Sequence, residues 1–313
     1  MSKKIAITFP GQGSQSVGML ADLAAAHPLV RETFAEGSDA LGIDLWSLSQ
    51  EGPKEQLNET RNTQPALLCA GMSVMRVLEQ QIPQQPVVMA GHSLGEYTAL
   101  VAAGVLSLAD ATRLVAMRGR FMQEAVPAGS GAMAAILGLD DQQVKAVCAE
   151  GAQGQVAEAV NFNSPGQVVV AGDAEAIARV ADLAKAAGAR RALILDVSVP
   201  SHCALMKPAA ERLAEAMQIL TFNTPRVPVL HNVNVEEARD PAAIQQLLVE
   251  QLFCPVRWVE TVQAIAGRGA EVVLEAGPGK VLVGLIKRID KSLVALPVFD
   301  PASLDIAMES INA

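Results

Sequence analysis

Short apolar runs closed by glycine or proline alternate along this chain with longer stretches whose apolar residues recur every three or four positions. The first kind reads as buried strand and the second as amphipathic helix. Lys4 to Phe9 reads as a strand ending in Pro10-Gly11. Leu20 to Leu48 reads as short helices and Thr63 to Gln80 as a longer one. Pro86 to Ala90 is again strand-like, and the residues from Glu96 to Ala103 suit a helix. Ser107 to Glu124 follows as a helix, with Ser107 at its N-cap and Asp110 three residues on. Its apolar stripe of Leu108, Ala111, Val115 and Met122 also carries Arg118. Two readings of Arg118 stand open. Its stem packs while its head escapes to solvent, which periodicity favours, or its planar fork is partly buried and holds a carboxylate.

From Gly131 the texture changes. Ala132–Gly138 reads as a strand, Asp140–Glu150 as a helix, and Gln155–Asn161 and Gly166–Ala171 as strands joined by Asn163-Ser164-Pro165. Asp173–Ala187 reads as a helix and Arg190–Val197 as a strand. This β-α-β-β-α-β order is the ferredoxin-like unit. Beyond it come a helix to about Ile219, a strand Val227–His231, helices over Ala242–Gln251 and Arg257–Ala266, a strand Glu271–Glu275 and a turn at Gly277-Pro278-Gly279. Strands alternating with helices predict a three-layer α/β architecture. The expected fold is a large α/β-hydrolase-like domain with a mainly parallel sheet, residues 1–127 and 199–313. A ferredoxin-like α+β subdomain is inserted at 128–198.

A length of 313 residues fits one large domain with an insert, or two domains. Half of the residues are apolar and only 3% aromatic, so the core is built from Ala, Val, Leu and Ile. A net charge of −9 argues against a nucleic-acid partner, because phosphate contacts need a basic surface. Cys69, Cys148, Cys203 and Cys254 stand far apart with no C-x-x-C pair, as free thiols in a reduced compartment would. After the basic start Met1 to Lys4 the apolar run stops at Pro10-Gly11, too short for a signal peptide, and no stretch approaches a membrane span. A soluble cytoplasmic protein with no membrane partner is expected.

The chemistry concentrates where Pro86 to Ala90 runs without a spacer into Gly91-His92-Ser93-Leu94-Gly95 and then into a helix. Gly-x-Ser-x-Gly between strand and helix is the context a nucleophile elbow requires. Ser93 at its tip is the candidate nucleophile, with the free N–H groups of a helix start beside it where an oxyanion would form. The loop Pro10 to Gln15 invites a dinucleotide fingerprint, but Ser16 stands at the third glycine position. Its other use is to bring backbone N–H groups to a neighbouring site. Gly279-Lys280 is no P-loop, because Leu274 and Val281 occupy its first glycine and its hydroxyl positions. A serine nucleophile needs a base, and the chain has four histidines. His27 has no motif around it, and His92, next to Ser93 on a tight turn, points away from it. His231 ends a strand. His202 follows Val199-Pro200-Ser201, where the insert rejoins the large domain at the edge of a cleft. His202 is preferred and His231 stays open. No acidic residue adjoins His202, so an amide or carbonyl would orient its ring.

Phe9-Pro10-Gly11-Gln12-Gly13-Ser14-Gln15, Gly91-His92-Ser93-Leu94-Gly95-Glu96-Tyr97, Met117-Arg118-Gly119, Val160-Asn161-Phe162-Asn163-Ser164-Pro165-Gly166-Gln167 and Val199-Pro200-Ser201-His202 follow one another along nearly the whole chain. In that order they resemble the malonyl-CoA:acyl carrier protein transacylases of bacterial fatty-acid synthesis, in the free-standing form rather than as a domain of a polyketide synthase. Gly277-Pro278-Gly279 continues the match. The resemblance implies that Ser93 carries malonyl as an ester, that His202 is the base, and that Gln251 lies where the histidine's orienting group belongs. It further implies an oxyanion hole from the backbone N–H groups of Gln12 and Leu94, and Arg118 on the malonyl carboxylate. Gln64 and His92 count with Arg118 as substrate-binding residues. The partners implied are malonyl-CoA and acyl carrier protein, in ping-pong chemistry without metal or redox cofactor. An acidic carrier would need a local basic surface, for which Lys185, Arg190 and Arg191, or Lys280, Lys287 and Arg288, are candidates. The rivals are a serine esterase or thioesterase, with water as acceptor, and a non-catalytic carrier-binding module.

Overall fold

The computed structural model describes residues 3–82, 84–196 and 199–313. In chain order the strands among them are β1 (Ile5–Phe9), β2 (Val88–Gly91), β3 (Gly131–Leu137), β4 (Ala157–Ser164), β5 (Gln167–Asp173), β6 (Arg191–Ile194), β7 (Val229–Leu230), β8 (Val272–Ala276) and β9 (Val294–Val298). They form two separate sheets. One is wholly parallel in the order β7-β2-β1-β8-β9, and the other is antiparallel in the order β4-β5-β3-β6.

Strands β1, β2 and β8 are buried along their whole length, as a parallel sheet covered on both faces requires. Side-chain alternation divides β1 between two layers. Ile5, Ile7 and Phe9 join one core with Leu68, Tyr97 and Leu100, whereas Ala6 joins another with Trp258, Val262 and Leu282. Many of the side chains in the first core come from the helices Thr60–Gln81, Leu94–Ala102 and Leu108–Glu124. The register sets Phe9 beside Gly91, so the loops leaving β1 and β2 meet at the carboxyl edge of the sheet. That edge is where open α/β sheets bind ligands.

Strands β3 to β6, with helices Asp141–Ala152 and Ala174–Ala186, form the second unit around its own core, which includes Ile136, Val144, Val168 and Ile177. Backbone hydrogen bonds from Phe162 N to Val256 O (3.0 Å) and from Val256 N to Val160 O (2.8 Å) fasten it to the parallel-sheet unit. Arg288 adds a bond to Gln167 Oε1 at 2.8 Å.

Some boundaries differ from expectation. The long helix starts at Thr60, and the Val227–His231 strand shortens to Val229–Leu230. β4 runs on through Ser164, so the hairpin turns at Pro165-Gly166, where Gly166 takes the left-handed conformation (φ 72°) that the second central position of a type II Pro-Gly turn requires. β6 ends at Ile194; Val197, its expected end, and residue 198, the expected last residue of the insert, lie outside the described residues, as do Met1 and Ser2. Past Gly279 come a helix Val281–Ile289, β9 and a helix Pro301–Asn312. The first of these has no N-cap side chain of its own. Glu275, buried at the end of β8, accepts instead from Leu282 N (3.0 Å) and Val283 N (2.7 Å). Its own burial raises the pKa of that carboxyl. Among the described residues no helix is long and apolar enough to cross a membrane.

Candidate active site

The turn after β2 is sharp because Ser93 itself adopts φ 51°, ψ −107°, outside the regions side chains favour. The flanking glycines serve close approach. A Cβ at Gly91 would lie 1.8 Å from Gly95 C, and one at Gly95 would lie 2.0 Å from Phe9 O. Asn232, just past β7, braces the turn from below. Its Nδ2 donates to Gly91 O (2.7 Å) and its Oδ1 accepts from Ser93 N (2.7 Å). The Gly95 and Glu96 amides donate to His92 O and Ser93 O. Of the four turn amides, that of Leu94 is thus left without an acceptor among the described residues, and so is that of Gln12 in the loop after β1. Both residues line the cleft in which Ser93 sits.

Ser93 Oγ lies 2.8 Å from His202 Nε2. The other ring nitrogen is set by a helix end. Gln251 closes the helix Pro241–Gln251, and the last carbonyls of a helix lack intrahelical partners. Gln251 O accepts from His202 Nδ1 at 2.7 Å, and Leu252 O accepts from His202 N at 2.9 Å. This fixes the tautomer with the lone pair on Nε2, facing the serine. The negative end of the helix dipole also lies against the ring, where it favours a developing imidazolium. Burial, and then the charge of Arg118, pull the pKa of His202 down from 6.5 to about 3. The ring is therefore a neutral base throughout the physiological range.

Arg118 is 1% exposed, so its guanidinium lies inside rather than in solvent. Its Nη1 donates to Gln64 Oε1 (2.9 Å) and its Nη2 to Gln251 Oε1 (2.9 Å), with Ser93 Oγ 3.4 Å from the same Nη2. The Tyr97 ring lies 5.2 Å from its Cζ, a cation–π distance. Burial lowers the pKa of Arg118, and no carboxylate among the described residues pairs with it. A cation in that state has unused capacity to pair with an anion.

The cleft above Ser93 holds about 290 Å³ between the two units, with Met133, Asn161 and Val199 among its walls. His92 also lines it, turned from Ser93 toward the second unit, where its Nε2 meets Asn163 Oδ1 at 2.8 Å. Ser93, His202, Arg118, Gln251 and Gln64 are joined in one hydrogen-bonded cluster, while Gln12, Leu94 and His92 border it from the cleft. His231, the rival base, does not reach Ser93. Its Nδ1 meets Glu96 Oε1 at 2.7 Å, and both side chains are fully buried. Glu96, Asn232 and Asn163 were not singled out by sequence. Only Glu96 carried a signal, as the one charged residue on an otherwise apolar helix.

Comparison with known proteins gives the family. The acyl transferase domain family matches residues 7–303. The malonyl CoA-acyl carrier protein transacylase of Salmonella typhimurium is 59% identical over 305 residues, covering 97% of this chain and 99% of that one. Among solved structures, the corresponding transacylase of Coxiella burnetii is 47% identical with a TM-score of 0.98, covering 100% of this chain and 99% of its own. A malonyl-transacylase solved in complex with a type II polyketide synthase acyl-carrier protein is 56% identical with a TM-score of 0.97, covering 98% of this chain and 99% of that one. Matched from end to end at such identity, the chain belongs to the acyl transferase family, among its malonyl CoA-acyl carrier protein transacylases.

Proposed function

We propose that this protein transfers the malonyl group of malonyl-CoA to the phosphopantetheine thiol of acyl carrier protein through an ester on Ser93, supplying fatty-acid chain elongation. Ser93 Oγ attacks the thioester carbonyl as His202 Nε2 takes its proton. The oxyanion is held by the amides of Gln12 and Leu94, a form of stabilisation that is usually the largest catalytic contribution. The carbon–sulfur bond breaks and the CoA sulfur leaves with the proton from His202. The carrier thiol then gives its own proton to His202, and its sulfur attacks the ester. Ser93 leaves and is reprotonated. The Gln251 carbonyl keeps the ring in one tautomer through both halves, and Gln64 and Gln251 aim Arg118 at the malonyl carboxylate. His92 closes the cleft wall beside the thioester.

The same reading assigns residues 1–127 and 199–313 to a hydrolase-like catalytic unit and 128–198 to a ferredoxin-like insert. The elbow after a parallel strand supports the first, and the separate core with strand order β4-β5-β3-β6 supports the second. A CoA thioester and a carrier protein as substrates support a cytoplasmic location.

The observation that carries the proposal is the buried, carboxylate-free guanidinium of Arg118, 3.4 Å from Ser93 Oγ. An esterase for neutral acyl groups has no use for it. Losing one partner of a buried charge pair costs on the order of 2–5 kcal/mol. Arg118→Ala is therefore expected to slow malonyl transfer by roughly 30- to several-thousand-fold. Acetyl transfer gains nothing from the guanidinium and should fall little or rise. The ratio of the two rates, measured with malonyl-CoA and acetyl-CoA, identifies the role. A parallel drop would make Arg118 a structural arginine.

A further inference from the structure

Beneath the cleft, in the first turn of the helix Leu94–Ala102, Glu96 is fully buried and does not line the substrate cavity. Its carboxylate nonetheless has three donors. Oε1 accepts from His231 Nδ1 (2.7 Å), and Oε2 accepts from Asn232 N (2.9 Å) and from Gln251 Nε2 (2.8 Å). A buried acid among apolar neighbours is expensive to keep, so what it touches matters.

His231 does not cancel its charge. The ring is buried, and Nε2 has no hydrogen-bond partner. A proton there would be an unsatisfied buried donor, whereas a bare lone pair is tolerated more cheaply. The hydrogen-bond pattern assigns a neutral ring with its proton on Nδ1, which leaves Glu96 as an anion. The nearest cation in the same network, itself without a direct carboxylate partner, is Arg118. Between them stands the amide of Gln251, with one donor end and one acceptor end. Its Nε2 faces two groups that only accept, Glu96 Oε2 and Ser93 O (3.0 Å). That choice leaves Oε1 no direction but toward Arg118 Nη2, at 2.9 Å. Reversing the amide would set a donor against the guanidinium and an acceptor against the carboxylate.

We propose that Glu96 is a positioning residue for substrate selection. It locks the Gln251 amide so that its oxygen aims the Arg118 fork over Ser93, and it supplies the buried counter-charge that holds the guanidinium there until a substrate carboxylate arrives. This rests on Arg118 being the carboxylate receptor. Glu96 touches no reacting atom and acts through Gln251.

The test is Glu96→Gln in the full-length protein, with acyl-serine formation followed separately from malonyl-CoA and acetyl-CoA. The new amide removes the charge and presents donors as well as an acceptor, so the Gln251 amide loses its fixed sense. The ratio of malonyl to acetyl kcat/KM is expected to fall by about 10- to 100-fold, the range for losing a hydrogen bond to a charged group. Glu96→Asp keeps the charge and should recover part of that ratio. A purely structural acid would lower both rates together and leave the ratio unmoved, which would overturn the proposal. Should Glu96→Gln not fold, as read by circular dichroism, Glu96→Ala removes the same charge and acceptor while leaving the Gln251 side chain in place. Its ratio must fall at least tenfold, and any smaller fall overturns the proposal equally. Absence of any malonyl-serine in the unmodified protein would sink the transferase reading instead, which keeps the two failures apart.

Discussion

Ser93→Ala is expected to remove the covalent intermediate and to depress malonyl transfer by about 10⁶-fold, the loss seen when a serine nucleophile acting with its base is deleted. The size follows from what the side chain does. Ser93 Oγ is the atom that His202 Nε2 meets at 2.8 Å and that Arg118 Nη2 approaches to 3.4 Å. In the proposed mechanism, its loss leaves His202 no proton to take and Arg118 no acyl group to steady. No neighbour replaces it. Burial pushes the Cys203 thiol up to about 12, so the thiolate is scarce at neutral pH. The fold should not suffer, because alanine carries the same Cβ through the same strained backbone and the Asn232 brace bonds to main-chain atoms. Circular dichroism and thermal unfolding close to those of the unmodified protein, together with lost transfer, are the expected pair of results.

His202→Ala should fail in both half-reactions, since in the proposed mechanism one imidazole takes the serine proton in the first and the carrier thiol's proton in the second. A loss of about 10⁴- to 10⁶-fold in each is expected from removing the base of a serine–histidine pair. If acylation persisted near the unmodified rate, the base would have to be another group, although His231 is already bonded to Glu96. The pH dependence has a defined sign. The neutral ring is the active form, and its pKa in the free protein is drawn to about 3, first by burial and then by Arg118. Acylation measured as kcat/KM should therefore hold level as pH falls through 6.5 and drop only in strong acid. A bound carboxylate offsets the Arg118 charge, so with malonyl-CoA the kcat profile should fall at higher pH than the kcat/KM profile. With acetyl-CoA that displacement should be absent. Stability follows the same sign. The unfolded chain protonates this histidine below 6.5 and the folded chain does not until about 3, so His202 contributes a loss of stability as pH drops across that window. His202→Ala should flatten it.

Much of the fold was legible because its elements announce themselves locally. The turn glycines and the alternating apolar runs of the β3 to β6 unit set its six elements close to their observed bounds. The carboxyl-terminal elements were not read. The helix Val281–Ile289 takes its N-terminal cap from Glu275 across a turn, and β9 is a short edge strand with Pro297 inside it, a place where proline is tolerated. At the site, Ser93 was legible from its strand–turn–helix context and Arg118 from helix phase, although phase alone left open whether its head reached solvent. Gln251, Gln64 and Gln12 came only through family likeness, because a glutamine carries no sign of whether its amide, its carbonyl or its backbone is used. Asn232 and Asn163 stayed hidden for a different reason. Asn232 braces Ser93 across 139 positions, a contact made by the order of the parallel sheet, and Asn163 meets His92 across 71, a contact made by packing the second unit against the first.

The most direct test is mass spectrometry of the unmodified protein after brief exposure to malonyl-CoA without acyl carrier protein. The expected result is a mass increase of one malonyl group on the intact chain, mapped by proteolysis to the peptide containing Ser93 and lost when acyl carrier protein bearing phosphopantetheine is added. No adduct at all, or an adduct on Ser201 or a cysteine with Ser93 unmodified, would contradict a malonyl-serine intermediate at this site.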